Sequence, residues 1–183
     1  VKTGASRMLL KNARIGDLAF NAVDRTLWGI EISDGIAYLV RVPYPYDDWY
    51  RVRTFPYEAV PYDLDVSPDG KFLSASMSEA SSDQFVRVWR IDRLLKGDVT
   101  PMSEFKFGQS IPESFAFSKD GRYLYGSSYY TGASNVFRYE VANGDIQGVS
   151  NAETGFFRPV PLADGRPVVL AYTPAGCVPG KIA

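Results

Sequence analysis

Glu79, Asp83, Glu113 and Glu153, the adjacent Tyr129 and Tyr130, and Arg158 are the side chains of this sequence best suited to act on another molecule. Carboxylates brought together accept hydrogen bonds from a basic peptide or ligate a hard cation, and a pair held about 5 to 9 Å apart is what glycoside hydrolysis requires. The plain alternative for each acid is solvation or an ion pair. Neighbouring tyrosines offer flat amphipathic faces with hydroxyl handles, suited to a peptide or a sugar, or simply to packing over an adjacent loop. Arg158, set between Phe157 and Pro159, has the planar fork that grips a carboxylate from two sides, whether a ligand's or that of Glu153.

The rest of the composition narrows that chemistry. The 183 residues contain no histidine, which removes Ser-His-Asp and Cys-His catalysis from this chain. The lone Cys177 forms neither an internal disulfide nor a cysteine-rich metal site, and whether the acids take a metal stays open. Gly-X-Ser-X-Gly is absent, and Gly144-Asp145-Ile146-Gln147-Gly148 lacks the spacing of a nucleotide-binding loop. No cofactor is expected, and the chain is read as non-catalytic by itself. With 20 basic against 21 acidic residues, no global field draws a nucleic acid or an anionic membrane. No apolar run approaches the length of a membrane span, so direct membrane insertion is not expected. Val1-Lys2-Thr3-Gly4 does not open like a secretory leader, which suggests a trimmed mature protein or a segment of a longer one.

The elements that must position these residues are strands. At 45% hydrophobic and 14% aromatic, the chain has the means to build a core. Tyr62-Asp63-Leu64-Asp65-Val66 and Phe85-Val86-Arg87-Val88-Trp89-Arg90-Ile91 alternate with period two, and their β-branched and aromatic residues suit a pleated surface. The best helical candidate is one turn at Arg93-Leu94-Leu95-Lys96. Ser67-Pro68-Asp69-Gly70-Lys71-Phe72-Leu73 returns as Ser118-Lys119-Asp120-Gly121-Arg122-Tyr123-Leu124, and more weakly as Leu162-Ala163-Asp164-Gly165-Arg166-Pro167-Val168. A degraded copy precedes them at Asn21-Ala22-Val23-Asp24-Arg25-Thr26-Leu27. The copies lie 46, 51 and 44 residues apart, the period of a four-stranded propeller blade. Asp69-Gly70, Asp120-Gly121 and Asp164-Gly165 are read as structural turns, in which glycine accepts positive φ and aspartate caps the backbone.

The expected architecture is an all-β propeller of antiparallel blades occupying residues 1–183, with blades near 15–55, 62–107 and 114–149 and an incomplete one at 156–172 that ends after two strands. A sandwich of short strands is the competing arrangement. About three and a half blades leave sheet faces uncovered, so closure requires a missing remainder of the propeller or a second copy of the chain.

At the repeated Ser-Pro-Asp-Gly-Lys-Phe-Leu and Ser-Lys-Asp-Gly-Arg-Tyr-Leu the chain resembles the TolB/WD40-like propeller repeats, over roughly Ile15 to Tyr172. The tryptophan-aspartate signature of true WD40 repeats is missing, since Arg90 follows Trp89. The resemblance implies fold more than function. Such propellers occur in periplasmic TolB, in prolyl-oligopeptidase-like serine peptidases and in larger bacterial envelope proteins, so it implies a periplasmic or envelope location.

In a propeller the second-to-third-strand loops share a rim with the links between blades, and loops on a rigid scaffold usually supply binding groups. Tyr129, Tyr130, Glu79, Glu113 and Arg158 are therefore the expected binding residues, near the channel mouth. Asp63 and Asp65, two apart in an innermost strand, line the channel or hydrogen-bond an adjoining blade. The proline-stiffened stretch from Pro43 to Tyr50 belongs to the opposite rim. The reading is a non-catalytic module that binds protein or peptide. Its competitors are the substrate-gating propeller of a peptidase whose catalytic domain lies elsewhere, a paired-carboxylate enzyme acting on carbohydrate, and a structural arc closing by self-association.

Overall fold

The computed structural model describes Gly4, Ser6 and residues 8–182; residues 1–3, part of the stretch examined above for a leader, lie outside the described residues. Four antiparallel sheets succeed one another along the chain. The first blade contains β1 (Ile15–Phe20), β2 (Leu27–Ser33), β3 (Ile36–Val42) and β4 (Tyr50–Thr54). The second contains β5 (Val60–Val66), β6 (Phe72–Ser78) and β7 (Gln84–Arg90), then the short helix α1 (Ile91–Leu94) and β8 (Ser103–Gly108). The third contains β9 (Pro112–Phe117), β10 (Tyr123–Thr131), β11 (Ala133–Glu140) and β12 (Ile146–Gly148). The fourth contains β13 (Phe156–Pro161), β14 (Pro167–Thr173) and β15 (Gly176–Lys181).

Two expectations need correction. The fourth blade does not stop after two strands: Gly176-Cys177-Val178-Pro179-Gly180-Lys181 pairs with β14 along its length. Its glycines and proline hide the strand from a propensity reading. The helical turn also begins two residues earlier than Arg93. Ile91 and Leu94 are its buried anchors, and the Ile91 N–H still donates to Lys71 O in the strand register.

Alternation along the strands sorts side chains into cores between successive sheets. In the second blade, Leu73, Met77, Phe85 and Trp89 face the first blade and pack with Trp28 and Leu39. Val86 and Val88, on the opposite face, pack with Phe107 of their own blade and with Phe115 and Tyr139 of the next. A third cluster joins Tyr125 and Val136 to Val169 of the fourth blade. The innermost strands β1, β5, β9 and β13 are successive neighbours, as radial packing requires.

The Asp-Gly corners line up along one rim. Asp69 and Gly121 border one surface groove, Asp120 and Gly165 the next. In the two strong copies the serine does the joining: Ser67 Oγ accepts the Phe72 N–H at 2.9 Å and donates to Asp69 Oδ1 at 2.7 Å, and Ser118 repeats this with Tyr123 and Asp120. Leu162 lacks the hydroxyl, and its turn closes one residue shorter, through Leu162 N–H to Arg166 O rather than the equivalent of Ser118 N–H to Tyr123 O. In the degraded first copy Arg25 takes the left-handed conformation, one position later than the glycine of the others.

Candidate functional site

Each innermost strand carries a β-bulge at the same place. Two residues oppose one on the neighbouring strand: Asp17 and Leu18 oppose Gly29, Asp63 and Leu64 oppose Ala75, Ser114 and Phe115 oppose Gly126, and Arg158 and Pro159 oppose Val169. The first residue of every pair has positive φ, 50° at Asp17 and Asp63, 56° at Ser114 and 48° at Arg158. Such a backbone re-aims side chains, here toward the axis. In the first three blades the small opposing residues Gly29, Ala75 and Gly126 make room for the second bulge residue. A Cβ on Gly126 would run into the buried Phe115 ring.

At the axis the aspartates join blades. Asp17 accepts the N–H groups of Asp63 and Leu64, and Asp63 Oδ2 accepts the Ser114 N–H at 2.7 Å. Asp65 Oδ2 accepts the Phe117 N–H, also at 2.7 Å. Burial pushes the carboxyls of Asp63 and Asp65 above the ordinary aspartate range, against the pull of these N–H groups. The negative charge of Asp17 raises Asp63 further, and the positive charge of Arg158 lowers it. Arg158 borders the same axial groove, of about 290 Å³, with Asp17, Asp63, Asp65 and Ser114. It makes no ion pair within 4.0 Å among the described residues, and Glu153 is exposed on the link before it.

Among the rim acids, Glu79 accepts Arg87 Nη1 at 2.7 Å, while Arg87 Nε holds Glu104 at the same distance and its guanidinium lies over the Phe85 ring. Asp83 pairs with Lys106 at 2.9 Å. Both acids therefore brace the second blade. Glu113 is exposed at the entrance side of β9, one residue before the Ser114 bulge. Burial, then the negative charges of Asp63 and Glu113, push the Tyr62 phenol upward, and the Tyr62 hydroxyl donates to Gln84 Oε1 at 3.0 Å.

Tyr129 and Tyr130 lie among the exposed last residues of β10, just before Thr131 and beyond its buried stretch, and are 52% and 46% exposed. One side of Tyr130 meets Phe105, Phe107 and Phe137 edge to face, with centroids 5.4 to 6.1 Å apart. Tyr129 leans toward Phe157, 6.2 Å away. Behind them the buried Asn135 accepts Ser150 Oγ and the Ala152 N–H, fixing the link that follows the third blade.

The five expected binding residues lie on different elements. Glu113 and Arg158 belong to innermost strands, Glu79 to an ion-paired hairpin, and the two tyrosines to the tip of β10. Among the described residues, no three His, Cys, Asp or Glu side chains are grouped so as to hold a metal ion. Sequence reasoning missed Asp17 and Ser114 as members of the axial set. They recur at the spacing of the turn copies, and that was the available signal.

No protein-family model and no curated protein matches this sequence. Solved structures do resemble it. TolB from Acinetobacter baumannii superposes with a TM-score of 0.73 at 14% identity, covering 95% of this chain and 43% of that one. A putative TolB from Agrobacterium tumefaciens gives 0.67 at 17% identity, covering 85% of this chain and 53% of that one. Prolyl oligopeptidase B from Galerina marginata gives 0.67 at 10% identity, covering 91% of this chain and 26% of that one. The chain spans about half the length of the TolB structures it matches. By fold, it is a partial β-propeller of the TolB and WD40-like kind, four sheets of three or four strands set around an axis.

Proposed function

We propose that this chain is a non-catalytic propeller module that binds a protein or peptide on the rim formed by its second-to-third-strand loops and blade links. The observation that carries the reading is the pair Tyr129 and Tyr130, held half-exposed at the tip of a strand whose preceding residues are buried. Rigid aromatic side chains bury much area at small entropic cost, which suits them to anchor a peptide. Tyr57, 71% exposed on the link between the first two blades, and Glu113 and Arg158 near the axis extend the rim with apolar, acidic and basic groups. The likeness to TolB structures supports an envelope setting for this activity.

The test begins by panning a displayed peptide library against the immobilised chain and measuring the enriched peptides by fluorescence anisotropy. Tyr129→Ala with Glu113→Gln is expected to weaken them at least about tenfold, the scale of a small interface hot spot, with an unchanged unfolding midpoint. Affinity within about twofold of the parent would contradict the rim assignment.

The likeness to prolyl oligopeptidase B supports a second reading, in which the propeller gates access to a peptidase domain carried elsewhere. A longer reading frame containing a nucleophile-elbow motif would favour it.

A further inference from the structure

The joints among the first three blades obey one rule. The aspartate at the bulge of one innermost strand accepts the bulge N–H of the next, Asp17 from Asp63 and Leu64, then Asp63 from Ser114. The rule runs in chain order, so each blade receives a carboxylate from the one before it. The first blade has the same bulge. Pairing with β2 skips Asp17 and Leu18, both exposed, and Asp17 has the same positive φ as Asp63. Beside this bulge lies an apolar groove of about 180 Å³ bordered by Leu9, Leu10, Ile15, Leu18, Val42 and Tyr46. An apolar sheet face beside bulge N–H groups is what the second blade presents to the first and the third to the second, so the open side continues an interface already built twice.

We infer that the open side of the first blade docks a further propeller blade bearing an aspartate at the bulge of its innermost strand, supplied from outside these residues. A second copy of this chain does not meet the requirement. Its free side is the fourth blade, whose bulge residues are Arg158, a donor without an acceptor, and Pro159. Docked head to tail, two copies would set a guanidinium against N–H groups.

Sedimentation equilibrium on the full chain tests this. The parent and Arg158→Asn are expected to remain monomeric, whereas Arg158→Asp, which gives the fourth blade the carboxylate, self-associates at least about tenfold more tightly, the worth of one charge-assisted hydrogen bond. Leu18→Lys should remove that gain. Parent assembly that Leu18→Lys abolishes, or Arg158→Asp associating no more tightly than Arg158→Asn, overturns the inference. Should Arg158→Asp fail to fold, amide exchange on the parent chain decides: the Asp17 and Leu18 N–H groups are expected to exchange at least about tenfold faster than those of Asp63 and Ser114, and equal protection overturns it.

Discussion

Between the second and third blades, Asp63 and Asp65 each reach across to a backbone N–H of β9. Between the third and fourth, the corresponding residues of β9 are Ser114 and Ala116, and the contact depends instead on Ser134 Oγ donating to Phe156 O at 2.9 Å, a longer Tyr125 hydroxyl bond to Gly165 O, and the cluster around Val169. The opposing residue changes too, from Gly126 under Phe115 to Val169 under Pro159. The difference teaches that the axial aspartates are cohesive groups with backbone partners. Arg158, which makes no ion pair within 4.0 Å among the described residues, is not consumed in this way.

Breaking the tighter joint should have the largest effect. Gly126→Ala drives a Cβ into the buried Phe115 ring and is expected to cost about 3 kcal/mol by overpacking, measured by urea unfolding. Asp63→Ala leaves the Ser114 N–H without its acceptor and should cost about 2 kcal/mol in the same assay. Asp63→Asn keeps an acceptor and separates charge from hydrogen bonding. Because burial raises the Asp63 carboxyl in the folded chain, the unfolded chain ionises first as pH rises. Parent stability relative to Asp63→Asn should therefore fall as pH climbs from about 3.9, the unfolded aspartate value, to the raised folded value, and then level off.

The turn aspartates titrate in the opposite sense. Hydrogen bonds from Ser118 and the Arg122 N–H hold Asp120 below the ordinary range, and hydrogen bonds from Ser67 and Lys71 hold the exposed Asp69 low against a partial desolvation. Their contribution is present above about 3.9 and is lost as pH falls through the lowered values. The smallest expected effect sharpens the comparison from the weaker side. Ser114→Asp offers the Arg158 N–H the carboxylate found at the earlier joints and should stabilise by about 1 kcal/mol, a single bond because Pro159 has no N–H to give.

The blades were legible in the sequence because Ser-X-Asp-Gly spaces them, and each residue of that turn has a local task that any sequence reading can assign. The bulges were not, since Asp17, Asp63, Ser114 and Arg158 share a backbone conformation and no side-chain chemistry. Asp63 and Asp65 are legible as a pair two apart in one strand, and their bonds to the adjoining blade are one of the two roles that this spacing predicts. Glu79 could not be separated from Glu113 by type. Only the folded hairpin brings Arg87 to the first and leaves the second exposed. A fourth Asp-Gly pair, Asp34-Gly35, stands outside the repeat spacing and makes a two-residue hairpin with both residues at positive φ, on the rim opposite the repeated corners.

Amide hydrogen exchange at Ser114 tests most directly whether the axial aspartates hold successive blades. Asp63→Ala is expected to accelerate exchange of the Ser114 N–H at least about tenfold while leaving that of Arg158, one joint further on, unchanged. Equal Ser114 protection in parent and variant would contradict the account, since the bond from Asp63 would then contribute nothing to the joint.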